Sequence, residues 1–436
     1  MFSDTELFKS KNDIEIFLDR AEADLVQVYK NIDRIGLIVQ ERILRAFREH
    51  HLTEEFFAER TGYGIDDIGR DVIDEIFADI FEAEACACRV QFVSGTHAIA
   101  CAIMGNMASG QRMVGLTGRP YDTLLEVIGI DDKDPRQLPQ RGSLRSFGVD
   151  YAQIDCVDML DLVDSEAALV AAIKDVGHAD LYHIQKSRGY SMQRKTLSNV
   201  EIGQMIQAVR RVNPDSLVFV DNCYGEFVEE HEPIYYGADI VAGSLIKNPG
   251  GGMALTGGYV AGRKQCVEGA LMRLTAPGIG GHLGITFNQN RSILQGVFIA
   301  PSVVGQAVKG AHLAARVFEK LGLKTFPDAM SPRYDLIQAV EFGERQRLID
   351  FCVALQKFSP VNAHVAPEPS GMPGYADQVI MAGGSFIEGA TIELSADGPL
   401  RPPYAGYMQG GLSYLHVKCA MKGILELCLT GAAPFA

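Results

Sequence analysis

Hydrophobic residues near the N-terminus recur at intervals of three and four positions, the spacing of an amphipathic helix. The pattern covers residues 12–50 and is carried by Ile14, Phe17, Leu18, Ala21 and Leu25. A polar loop with two glycines in its first half follows at residues 61–71, and a second helix is predicted to run to about Ala85. The chain therefore begins with a helical segment.

Short apolar runs then alternate with helical segments. The predicted strands are Arg89–Val93, Met113–Leu116, Asp180–Ile184, Leu217–Val220, Ile240–Ala242 and Gly258–Ala261. Predicted helices include Glu166–Asp175, Val200–Val212 and a long region after Gly284. Alternation of this kind predicts an α/β fold, in which helices cover a mainly parallel sheet.

The composition changes after Pro327, where prolines become frequent and the pattern predicts a smaller α+β unit. We therefore expect three parts: an N-terminal helical segment (1–60), a large domain (61–328) and a small C-terminal domain (329–436).

Composition and charge narrow the class of protein. The net charge of −15 over 436 residues disfavours a surface for nucleic acid or for an anionic membrane. No apolar run reaches the roughly 18 residues of a membrane span, and no secretory signal precedes the first helix. Nine scattered cysteines predict reduced thiols in a cytoplasmic protein. Cys86 and Cys88 are expected near a helix end with diverging side chains, and no second such pair completes a zinc site.

Asp221 and Lys247 are the strongest candidates for chemistry. Asp221 ends an apolar strand, and Lys247 follows another strand and precedes Asn-Pro-Gly-Gly-Gly. A carboxylate for a pyridine nitrogen and an amine for an aldehyde are what pyridoxal 5′-phosphate (PLP) requires. Burial is expected to lower the pKa of the lysine and make it nucleophilic. Taken singly, Asp221 could equally cap a turn, and Lys247 could be a loop lysine that reaches solvent.

Two further segments supply the parts that a PLP site still needs. Ser94, Gly95 and Thr96 join a strand to a helix, where free N–H groups and hydroxyls favour a phosphate, although a simple helix cap would use the same residues. Ser244 is a second candidate for the phosphate. Tyr121, at the start of a later helix, could stack on the cofactor ring. Alternatively, it could be only a hydrophobic staple residue that packs against the first turn of that helix.

Longer motifs carry a resemblance to a known family. They are residues 61–71 (TGYGIDDIGRD), 94–99 (SGTHAI), 120–129 (PYDTLLEVIG), 220–227 (VDNCYGEF), 243–251 (GSLIKNPGG) and 392–404 (IELSADGPLRPPY). From about residue 12 to the C-terminus, the chain resembles aluminium-resistance, methionine γ-lyase-like proteins of the Cys/Met-metabolism group of PLP enzymes. The resemblance implies the fold of aspartate aminotransferase (fold type I), with PLP as cofactor, and a homodimer or homotetramer with shared active sites.

The resemblance also implies roles for individual residues. Lys247 matches the Schiff-base lysine, Asp221 the partner of the pyridinium and Tyr121 the stacking tyrosine, while Cys223 lies beside the cofactor. Ser94, Gly95, Thr96 and Ser244 match phosphate contacts. Tyr63 and Arg70 look like a pair that reaches the phosphate of a neighbouring subunit, although a local loop contact is the alternative. Arg401 and Arg188 compete to bind the substrate carboxylate.

The expected activity is elimination of a thiol from a sulfur-containing amino acid, in the manner of methionine γ-lyase or cystathionine β-lyase, with Tyr121 assisting the leaving group. Cystathionine lyases commonly have threonine at the positions of Ile246 and Cys223, so their substrate preference does not carry over. Transamination, decarboxylation or a catalytically silent, stress-related protein remain alternatives, because one fold supports several reactions.

Overall fold

The computed structural model describes residues 8–130, 140–192, 194–372 and 377–430. Its helices are α1 (Lys11–Asp24), α2 (Val26–Glu49), α3 (Ile68–Ile80), α4 (Gly95–Met104), α5 (Asp122–Ile128), α6 (Ser165–Val176), α7 (Asn199–Val212), α8 (Lys264–Leu274), α9 (Asn290–Lys320), α10 (Arg345–Gln356) and α11 (Tyr414–Leu429). None of these helices combines the length and hydropathy that crossing a bilayer requires.

The larger sheet has seven strands. They are β1 (Ala85–Arg89), β2 (Arg112–Gly115), β3 (Asp150–Gln153), β4 (Leu181–Gln185), β5 (Leu217–Asp221), β6 (Ile240–Ser244) and β7 (Gly258–Gly262). Their order is β1-β7-β6-β5-β4-β2-β3, and only β7 runs against the others. The predicted mainly parallel sheet is confirmed.

Helices bury both faces of this sheet. Residues of α2, α3, α6, α7 and α9 form the core on one face, and residues of α4, α5 and α8 form it on the other. A strand that is covered on both sides is mostly apolar, as β7 is and as β6 is up to its terminal Ser244. Such runs were recognisable in the sequence for this reason.

A second, five-stranded sheet is antiparallel throughout. Its strands are β8 (Lys324–Phe326), β9 (Gln338–Glu341), β10 (Val379–Ala382), β11 (Ser395–Pro399) and β12 (Ala405–Gln409), in the order β10-β11-β12-β9-β8. Its core includes Ile14 and Leu18 of α1 together with residues of α10 and α11. Strand β8 begins ahead of the predicted limit at residue 328, and the proposed domain bounds otherwise remain a prediction.

Three sequence-based predictions need correction at the N-terminal side. The helix expected over residues 12–50 is two helices, because the chain bends at the buried Leu25. The helix expected to end near Ala85 ends at Ile80, and Glu82 then adopts a positive φ of 56°.

The third correction concerns the first strand, which is Ala85–Arg89 and not Arg89–Val93. It pairs with β7, and its small residues gave little β signal. Because alternate residues of a strand share a face, Cys86 and Cys88 do not diverge, and their Sγ atoms lie 3.8 Å apart.

Candidate active site

The carboxyl ends of neighbouring parallel strands meet at one edge of the larger sheet. Gln185 at the end of β4 is in register with Asp221 at the end of β5, and β6 ends beside them at Ser244. This edge is where open α/β sheets bind ligands. A cavity of about 440 Å³ opens there and reaches the second sheet.

Eight of the predicted site residues line this cavity together: Ser94, Gly95, Thr96, Tyr121, Asp221, Cys223, Ser244 and Lys247. They come from four separate stretches of sequence, so the fold brings together what the motifs only suggested. Their roles toward a cofactor remain proposals.

Lys247 follows β6, and its Nζ lies 3.8 Å from the centroid of the Tyr224 ring. Burial acts to lower the pKa of the ammonium, but the acidic groups of Cys223, Tyr224, Asp221 and Glu226 together outweigh burial and raise it. The expected lowered pKa is therefore wrong for the protein without a bound ligand. A ligand that engages Asp221 would remove part of the charge that holds this proton.

Asp221 is a buried carboxyl at the floor of the cavity. Its Oδ1 accepts a hydrogen bond from the backbone N–H of Cys223 at 3.1 Å. Burial raises its pKa, while the charge of Lys247 and the hydrogen bonds from Cys223 and Tyr121 lower it in part. A buried carboxylate of this kind needs a cationic partner, and a pyridinium N–H would supply one.

The N-terminus of α4 forms one wall of the cavity. Ser94 caps this helix, with its Oγ accepting from the N–H of His97 at 3.1 Å. A Cβ added to Gly95 would lie 3.2 Å from the Cβ of Ser244 and 3.4 Å from the Sγ of Cys223. The first-turn N–H groups of a helix have no partner within it, so this narrow cradle suits the phosphate of PLP.

Tyr121 connects the cradle with Asp221. It precedes α5, and its backbone N–H donates to Oε1 of Gln185 at 3.3 Å. Burial, and after it the charge of Asp221, raises the pKa of its hydroxyl well above the ordinary value. The tyrosine thus sits between the two groups that would hold the ends of the cofactor.

Tyr63 and Arg70 lie outside this cavity. Arg70 is only 2% exposed, and its guanidinium donates to the carbonyl groups of Gly64 and Gly284 and to Asp71. These bonds are the local loop contact that the sequence left as the alternative, and the reach of Arg70 to another subunit stays a prediction. Tyr63 is 72% exposed and could still make that contact.

Neither Arg188 nor Arg401 lines the cavity that holds Lys247. Both line a neighbouring cavity of about 670 Å³, which shares Tyr190 and Tyr407 with the first. Arg188 is buried, whereas Arg401 is largely exposed and lies 3.4 Å from Asp377. The structure places both arginines in this adjoining cavity, and their binding of the substrate carboxylate stays a prediction.

Several residues of the cavity were missed in the sequence. Gln185 could have been found, since it ends a strand beside Asp221. Tyr224 and Asp397 lie within the motifs at residues 220–227 and 392–404 but were given no role there. Tyr407 and Gln409 had no local signal, because they lie on the distant strand β12. Burial raises the pKa of Asp397 to about 7.

Comparison with known proteins places the chain in a family. The model of the methionine γ-lyase family matches residues 14–429. The chain therefore belongs to the methionine γ-lyase family, and the predicted resemblance is confirmed.

Individual relatives agree with this assignment. YnbB of Bacillus subtilis, whose name gives no activity, is 47% identical over 93% of this chain and 94% of its own. A solved structure from Clostridium acetobutylicum, named as a candidate cystathionine β-lyase involved in aluminium resistance, is 44% identical with a TM-score of 0.88, over 96% of this chain and 95% of that one. The PLP-dependent protein YhfS of Escherichia coli shares the fold alone, at 16% identity and a TM-score of 0.61, over 92% and 97% of the two chains.

Proposed function

We propose that the protein is a PLP-dependent carbon–sulfur lyase that eliminates a thiol from a sulfur-containing amino acid. The observation that carries the proposal is one cavity containing an amine (Lys247), a buried carboxyl (Asp221) and a helix N-terminus with a glycine cradle (Gly95). Membership of the methionine γ-lyase family and the name of the Clostridium acetobutylicum relative support the lyase reaction.

Each of these residues would have a role that follows from its position in the cavity. Gly95, Thr96 and Ser244 would hold the phosphate, and Asp221 would hold the ring nitrogen in its charged form. When bound, PLP supplies an electron sink for the negative charge that develops at the substrate Cα. Lys247 would take the proton from Cα as general base, and Tyr121, which lines the same cavity, would steady the ring and the departing sulfur.

Absorption of visible light by the purified protein tests the cofactor prediction. Purified protein supplied with PLP should absorb in the visible range, and borohydride should bleach this band because it reduces a bond between Lys247 and PLP. Lys247→Ala should lack the band and lose turnover, by a factor of about 10³ or more if a covalent partner and general base are both lost. The exposed Lys357→Ala is the matched control and should behave as the wild type.

The reaction is tested separately, by product analysis with methionine, cystathionine and related thioethers. Release of a 2-oxo acid, ammonia and a thiol in equal amounts is expected. A colourless wild type that PLP cannot reconstitute would refute the cofactor. Product that forms only after addition of a 2-oxo acid acceptor would show transamination instead.

A further inference from the structure

The cavity beside the reacting centre is positively charged in a chain whose net charge is −15. We call it the basic cavity and define it by four cationic residues, Arg188, Arg194, Lys195 and Arg401. Of the described residues that line it, only Glu341 carries a carboxylate. A concentration of positive charge against the sign of the whole chain favours an anionic ligand.

The charges of the basic cavity are not equally available. Lys195 is paired with Asp161 at 2.8 Å and with Glu201 at 2.9 Å, and Arg401 approaches Asp377 at 3.4 Å. Arg188 differs from both, because its Nε and Nη1 N–H groups have no hydrogen-bond partner although the residue is only 4% exposed.

The acid whose charge acts on Arg188 does not satisfy its N–H groups. Asp335 contributes a favourable charge, but its Oδ2 accepts from the hydroxyls of Ser187 and Thr196, both at 2.7 Å, and its Oδ1 accepts from the N–H of Ile337. A buried guanidinium without a hydrogen-bonded partner is costly to keep, so its presence at the wall of a cavity points to a ligand that completes it.

The position of the basic cavity shows which part of a ligand would reach it. Tyr190 and Tyr407 line both cavities, and their ring centroids lie 5.2 Å apart. A molecule whose reacting end lies at Lys247 would therefore extend past these two rings toward Arg188. The carboxylate on the reacting carbon would stay in the first cavity, which Arg188 does not line.

We propose that the basic cavity binds a carboxylate at the far end of the substrate, so that the preferred substrates are thioether amino acids whose leaving group ends in a carboxylate. Arg188 is the specificity-determining residue, because a guanidinium can pair with a carboxylate through two N–H groups. The proposal rests on the proposed lyase function and adds a substrate class to it.

The first test measures binding without turnover. Succinate and the neutral succinamide are titrated calorimetrically into the PLP-loaded wild type, into Arg188→Met and into the control Arg45→Met, which removes an exposed arginine of α2, a helix with no residue in the lining of the basic cavity. Wild type and control should bind succinate at least tenfold more tightly than succinamide, and Arg188→Met should lose this difference. Because Arg188→Met removes an unpaired buried charge, its melting temperature should not fall, whereas a purely structural arginine would lower it.

The second test measures substrate choice with S-(2-carboxyethyl)-cysteine and its amide, S-(2-carbamoylethyl)-cysteine. The acid should have a KM at least tenfold lower than the amide in the wild type, and Arg188→Met should raise the KM of the acid alone.

Equal KM values together with equal succinate and succinamide binding would overturn the proposal while leaving the lyase function intact. Succinate binding that depends on Arg188, without turnover of either thioether, of methionine or of cystathionine, would uphold the anion site and refute the lyase. Succinate that does not compete with the acid substrate would assign the site to a free carboxylate ligand and overturn the far-end assignment.

Discussion

Glu226 is a fully buried acid, and the charge of Lys247 lowers its pKa only in part. Its Oε1 accepts from the hydroxyl of Tyr259 at 2.8 Å, while its Oε2 has no hydrogen-bond partner. Burial raises the pKa of this carboxyl to about 8. A group of this kind keeps its proton in the folded protein at a pH where the unfolded chain has already lost it.

The sign of the resulting pH dependence follows from this difference. Between the ordinary pKa of 4.5 and the folded pKa of about 8, the unfolded state binds fewer protons, so the free energy of unfolding falls as the pH rises. The slope from this one group is at most about 1.4 kcal/mol per pH unit. Glu226→Gln, which cannot ionise, should flatten the dependence in denaturant titrations from pH 5 to pH 8. The exposed Glu268→Gln should keep the wild-type slope, and an unchanged slope in Glu226→Gln would contradict the assignment.

At the scale of single elements, the N-terminus of α4 is a part of the site with little spare room. Because Gly95 faces Ser244 and Cys223 at 3.2 and 3.4 Å from a hypothetical Cβ, a methyl group there would enter the space meant for the phosphate. Gly305 on α9 offers a contrast, since a Cβ there would meet only Ile32, at 3.5 Å.

Gly95→Ala should therefore weaken PLP binding. Loss of one charge-assisted hydrogen bond, worth about 1.5–3 kcal/mol, corresponds to a roughly 10- to 150-fold higher Kd. Titration of the cofactor-free protein with PLP measures this, and titration with pyridoxal, which lacks the phosphate, should show little difference between variant and wild type. Gly305→Ala should leave both affinities unchanged and stabilise the protein by about 0.5–1 kcal/mol. An equal loss of affinity for PLP and for pyridoxal in Gly95→Ala would show that the cradle is not specific to the phosphate.

The predictability of each element depends on how it is buried. Strands β5, β6 and β7 were found in the sequence because both of their faces are covered and their residues are apolar up to the polar ends Asp221 and Ser244. Strand β11 has the sequence Ser-Ala-Asp-Gly-Pro, which is typical of a turn, and becomes a strand only because β10 and β12 pair with it on both sides. For this reason the large-sheet half of the cavity was predictable, whereas Asp397, Tyr407 and Gln409 of the second sheet were not.

At the scale of the whole molecule, exposed apolar side chains gather on loops next to the cavity. Tyr63, Ile65, Val93 and Phe287 are all more than half exposed, and Val93 also lines the cavity. The loops are joined, since the N–H of Gly284 donates to the carbonyl of Tyr63 at 2.8 Å. An apolar rim of this kind supports the proposal that copies of the chain associate with shared active sites.

A mixing experiment tests whether Tyr63 completes the site of a neighbouring subunit. Tyr63→Ala and Lys247→Ala should each be nearly inactive alone, because one lacks the contact to the cofactor phosphate and the other lacks the amine. When the two variants are co-expressed, a mixed dimer combines both defects in one site and leaves the other site intact. Random pairing in a symmetric dimer then restores roughly one quarter of the wild-type activity.

Tyr235→Ala, which removes another exposed tyrosine, should be active by itself and serves as the matched control. If Tyr63 instead served the cavity of its own chain, every mixed dimer would contain two defective sites and activity would not return.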